Sequence, residues 1–160
     1  MAIQTCFRLC FSILDKLAIF LCQYFGLTIN KNTAFNNFWH TNKLKLEEKE
    51  NFALIAINSL IYDLNEKNGQ FGFYKIWRNS LEHHILFLVP DSFELSNDST
   101  HTYVKISDFE SSLQNLLQFT RSAIFSTVFA IVEDLRQTQP KSHVNTMSIT
   151  IHKKDFNQNY

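Results

Sequence analysis

The stretch "SDFESSLQNLLQFTRSAIFSTVFAIVEDLRQ", residues 107–137, contains neither glycine nor proline. Nothing in it breaks a helix, and Ser107 followed three residues later by Glu110 is a capping-box pattern that opens one. From Ala123 to Val132 it is apolar nearly all round. A helix of that kind is either sandwiched within a bundle or shared with a partner subunit.

The rest of the chain is built from the same material. Three glycines and two prolines in 160 residues, beside many Leu, Ile and Phe, leave few places to turn and favour long helices. At this length the chain can bury one core. The expected fold is therefore all-α, an antiparallel bundle of four to five main helices with at most a small two-stranded β element. We expect a single domain over residues 1–160, with its core at about 4–137 and a C-terminal tail at 138–160.

Outward from the closing helix, residues 4–25 carry apolar positions at 6, 10, 13, 17, 20, 21 and 24, with Arg8, Ser12, Asp15 and Gln23 near the opposite face. This predicts an amphipathic helix ended by Gly26. An Asn- and Thr-rich connector with a short turn at "FNNFW" follows. "LEEKENFALIAINSLIYDLNEKNG" (46–69) reads as a second continuous helix, acidic near its start and closed by Gly69. "FGFYKIWRNSLEHHILFLV" (71–89) reads as a third, stopped by Pro90. The polar tract after it reads as a surface loop, and "HTYVKI" (101–106) and "MSITIH" (147–152) are candidate paired strands.

Charge excludes some roles. With 15 basic and 15 acidic residues the chain has no net field to draw it onto nucleic acid or an anionic membrane, so any RNA contact must be local. Cys6, Cys10 and Cys22 suit buried thiols in a reducing compartment better than a disulfide or metal site. The uncharged run near the N-terminus, Leu17 to Asn30, is too short to span a bilayer and lacks a signal-peptide pattern. A cytoplasmic protein with no membrane partner is the expectation.

The residues that carry chemistry are concentrated in "RNSLEHH", 78–84. On a helix, Asn79 and His83 lie about 40° apart on one face, and Arg78 reaches round its edge. Histidine moves protons near neutral pH, arginine grips phosphate oxygens with two donors, and asparagine orients either group. These are the parts that RNA cleavage without a metal requires. The plain alternative is an exposed Arg78–Glu82 pair with histidines at a helix C-terminus, where they are favoured. An arginine–asparagine pair with a histidine at this spacing arises by accident at roughly 4% in such a chain.

"RNSLEHH" on a helix beginning "FYKIW" resembles the signature of the HEPN (higher eukaryotes and prokaryotes nucleotide-binding) superfamily. "FRLCFSILDKLAIFLCQYFGL", "FNNFW" and "LLQFTRSAIFSTVFAIV" are similar to the opening and the closing helix of a bacterial branch often found C-terminal to helical-repeat regions. The resemblance runs from about Phe7 to Val132. It implies a helical bundle, a homodimer with a composite active site, and metal-independent endoribonuclease activity in a toxin or antiphage-defence setting, needing no cofactor. By position, Arg78, Asn79 and His83 are then catalytic, with His84 a second histidine at permitted spacing and Glu82 within the motif.

Asp15 is a further accessory candidate, placed to orient His83 or an RNA hydroxyl; a solvated helix charge is its plain reading. Tyr74, Lys75 and Trp77 are weak candidates for RNA contact, the rings more readily explained by packing. No metal-ligand spacing is present. The rival to the enzyme is a non-catalytic interaction module that binds a partner protein, such as an antitoxin or the rest of a larger defence protein, or a nucleotide.

Overall fold

In α1 (Ala2–Tyr24), Phe7, Cys10, Phe11, Leu14, Ala18, Leu21 and Cys22 are buried. These positions recur at helical spacing and form the inner stripe. The expected stripe is thereby corrected: Ile13 and Phe20 are 40% and 45% exposed, while Phe7 and Leu14 take the centre. Large apolar residues occur on both sides of this helix, so periodicity alone does not choose between its faces. Gly26 ends α1 as expected. Its φ of 62° is left-handed, and the N–H groups of Gly26 and Leu27 donate back to the carbonyls of Gln23 and Cys22, closing the helix in the paired pattern that glycine favours.

The computed structural model describes residues 2–65, 67, 69–83, 85–93 and 102–138. After α1 come α2 (Phe38–Glu47), α3 (Phe52–Asp63), α4 (Phe73–His83), β1 (Leu86–Val89), β2 (Thr102–Lys105) and α5 (Ile106–Thr138). The fold is thus mostly helical with one small sheet, and α5 is its long closing helix.

Three elements differ from expectation. The helix read through 46–69 is two helices: Glu50 adopts φ 47°, and Asn51 caps α3 by accepting from the N–H groups of Ala53 and Leu54. The acidic residues 47 and 48 therefore end α2 and do not begin α3. The helix read through 71–89 stops at His83, and its apolar end Leu86–Val89 is β1. β1 pairs in parallel with β2, Leu86 opposite Thr102 and Val89 opposite Lys105; the other strand candidate, "MSITIH", lies outside the described residues. The capping box at Ser107 is replaced by Asp91, whose carboxylate accepts from the Ser107 N–H and hydroxyl.

Phe7 rings approach Phe109, and Tyr24 at the far end of α1 reaches Asp134, so α1 and α5 lie side by side in the same sense. α3 runs the other way along α5. Asn51 at its start donates to the Ala130 carbonyl at 2.8 Å, and Phe71, beyond its end, meets Phe119. α5 is long and apolar enough to cross a membrane; here its inner flank is the core of the bundle, from Phe109 to Ala130.

Cys10 and Cys22 are buried and Cys6 is half-buried, all as free thiols. Burial raises the pKa of Cys10 and of Cys22, leaving little thiolate at neutral pH. In the native protein at pH 8, a thiol reagent should label Cys6 first and reach Cys10 and Cys22 only on unfolding; time-resolved labelling with mass spectrometry checks this. Asn51→Ala removes the α3 cap and a buried bond to α5, and should cost about 1–2 kcal/mol in urea unfolding.

Candidate functional site

α4 is held against α1 and α5 by its aromatic residues. Tyr74 is 1% exposed, and its hydroxyl donates to the Ser112 carbonyl at 3.0 Å. Burial raises its pKa. Trp77 stacks on Phe109 with centroids 5.5 Å apart and also meets Phe7 and Phe73. Both rings thus take part in the packing of α4 against α1 and α5. Lys75 is half-buried beside Arg78 in a small hollow.

With the helix so seated, Arg78 points to α1. Its Nη2 donates to Asp15 Oδ2 at 2.9 Å and its Nε to Glu82 Oε1 at 3.1 Å. The guanidinium carbon lies 5.1 Å from the centre of the Phe11 ring, a cation–π distance. Burial works against the charge, but Asp15 and Glu82 outweigh it and leave the pKa of Arg78 raised. Asp15 is anchored in turn, since its Oδ1 accepts from the Phe35 N–H at 3.0 Å. Arg78, Asp15 and Glu82 thus form one network across the α1–α4 junction. At least two of the five guanidinium donors are engaged.

His83 meets this network at its edge, through Glu82, and Asn79 lies on the outer side of the helix. Asn79 is exposed, and the His83 side chain is 71% exposed, with Nε2 3.9 Å from the second oxygen of Glu82. Glu82 therefore stands between the arginine and the histidine. Asp15 does reach the motif helix, but it touches Arg78 and not His83. His84 lies outside the described residues. Along the outer face of α4, Phe73 and Ile76 are 41% and 51% exposed; by helical geometry they share the stripe of Asn79 and His83.

Phe11 and Phe35 belong to the site although the motif does not contain them. Phe11 was signalled by its position four residues before Asp15, on the same helix face; the Phe35 contact is through backbone, and no side-chain pattern marks it. The hollow beside Arg78, lined by Phe11, Asp15, Phe35, Asn36, Leu64, Lys75 and Arg78, has about 20 Å³ open to the centre of a water-sized sphere, room for about one water. A nucleotide would have to bind outside it. Among the described residues no group of three or more His, Cys, Asp or Glu is placed to hold a metal.

A profile of the LA2681-like HEPN family matches residues 2–134. The chain belongs to this family. The HEPN match takes in every described helix up to the last turn of α5. The comparisons with curated proteins and with solved structures returned no match.

Within this HEPN domain the Asp15 carboxylate serves both a part-buried cation and a backbone N–H. Asp15→Ala should lower stability by about 1–2 kcal/mol, because both partners lose their acceptor. Glu82→Gln, at a more exposed pair, should cost under about 0.5 kcal/mol. Urea unfolding of the two variants at pH 7 compares them directly.

Proposed function

We propose that this HEPN domain is a metal-independent endoribonuclease whose reacting groups are Arg78, Asn79 and His83. The observation that carries the reading is the complete "RNSLEH" motif on α4, with its histidine at the surface and its arginine fixed and charged on the other side of Glu82.

In this mechanism the ribose 2′-hydroxyl gives up its proton and the 2′-oxygen attacks the adjacent phosphorus. The bond to the 5′-oxygen breaks, and that oxygen takes a proton on leaving. The products are a 2′,3′-cyclic phosphate and a 5′-hydroxyl. His83 transfers protons, a task for which a surface imidazole is suited. Arg78 stabilises charge developing on the phosphate oxygens with the donors that Asp15 and Glu82 leave, and Asn79 orients the phosphate or the imidazole. A single α4 carries one histidine for two proton transfers. A second copy seated on the outer face of α4, over Phe73 and Ile76, would bring another His83 to the same cleft.

A second reading has an observation of its own. The bonds from Arg78 to Asp15 and Glu82 are those of a structural ion network, which favours a non-catalytic module that binds a partner protein through α4. In that case Arg78 braces the helix and the motif turns over nothing.

RNA cleavage by the full chain in excess EDTA, beside His83→Ala, separates the two. We expect cleavage with cyclic phosphate ends that falls by at least about a hundredfold in the variant. Equal activity in both proteins, or none against total RNA and tRNA, would give the site to the binding module.

A further inference from the structure

The outer surface of α5 carries a seam that the described helices leave exposed. Leu117, Ile124, Val128 and Leu135 are 45%, 40%, 50% and 46% exposed. Together with Arg121 and the half-buried Ile131, they follow one another at steps of four, three, four, three and four residues, the spacing of a heptad seam. Phe125 and Phe129 flank it at 50% and 61% exposure. On α1 the outward Leu9, Ile13 and Phe20 border the same groove, since they lie beyond the side that Cys10 turns to Thr120. At about half exposure these side chains present on the order of 800 Å² of apolar surface, more than monomers usually leave in one patch and close to one partner's share of a standard interface.

The pattern also says what covers it. About a point level with Ser126 the spacing of the seam is symmetric: Leu117 stands opposite Leu135 and Ile124 opposite Val128, while Arg121 opposite Ile131 is the pair that differs. A two-fold axis across α5 at that level makes the face complementary to itself. Charge decides between the two ways of pairing. A parallel, in-register pairing sets Arg121 against its own copy, whereas an antiparallel one separates the two guanidiniums by about 15 Å along the helix. Each then lies beside an Ile131, already covered on one side by its own Phe125 ring at 5.5 Å.

We propose that α5 packs antiparallel against α5 of a second copy of this chain, about a two-fold level with Ser126. This contact is separate from the outer face of α4 and does not depend on whether the motif cleaves RNA. If copies also meet through α4, the assembly contains more than two chains.

The test uses the full chain with Cys6→Ser, to which Leu117→Cys and Leu135→Cys are added in separate preparations. Mixed and oxidised, the two should form a covalent dimer, while each alone should not, because like positions are about 27 Å apart along the paired helices. In sedimentation the parent chain should be associated at tens of micromolar. Ile124→Glu combined with Val128→Glu should weaken association about a hundredfold or more with an unchanged helical circular dichroism spectrum. Cross-linking as strong in either preparation alone, or a parent chain that is monomeric at these concentrations, would overturn the proposal. A monomer that partitions onto neutral lipid vesicles would do the same, since the face then belongs to a membrane surface.

Discussion

Phe7 is the point on which the arrangement of this domain depends. Its ring is fully buried and touches Phe11, Tyr74, Trp77 and Phe109, within 5.2–6.1 Å of each centroid. Those four residues come from α1, α4 and α5, so a single aromatic cluster fixes how the motif helix crosses the two long ones. Edge-on and tilted ring pairs have preferred geometries, and the cluster therefore constrains the rotation of α4 as well as its position. The direction that Arg78 takes toward Asp15 follows from that rotation.

Ion pairing then does what the aromatic cluster alone does not. Asp15 links the arginine of α4 to the backbone of Phe35, which connects the motif to the segment leading into α2. The network is small and only partly buried. Its contribution is geometric more than energetic, since part-exposed pairs yield little net stability, yet a guanidinium held by carboxylates on two helices has few orientations left to it. His83 is held less closely: among the described residues its ion pair is with the same Glu82, at 3.9 Å the edge of ion-pair range.

Much of this was legible in the sequence, for identifiable reasons. The long α5 announced itself by having no breaker, and Gly26 marked the end of α1 because a left-handed residue is needed there. The motif helix was found from residue types and spacing. What was missed came from local competition. "LEEKE" is made of good helix formers, so propensity hid the break at Glu50, although Asn51 before an apolar run is an N-cap signal. "ILFLV" is too short for its period to separate strand from helix, and only the presence of "TYVK" beside it makes a strand of it. The orientation of Arg78 was beyond reach of pattern, since helical geometry gives its azimuth but not the partner waiting on α1.

The parallel pair β1–β2 has a consequence for how the domain tolerates change. β1 follows α4 almost at once and β2 runs straight into α5, with Ser80 and Thr102 hydroxyls 2.9 Å apart beside the join. Both ends of the connection after Phe93 are therefore clamped by a backbone ladder and by Asp91 at the start of α5. The start of α5 is thus tied to the end of the motif helix through one short ladder, so a shift of α4 along its axis would be passed to the first turn of α5 by β1 and β2 and not by the helix contacts alone.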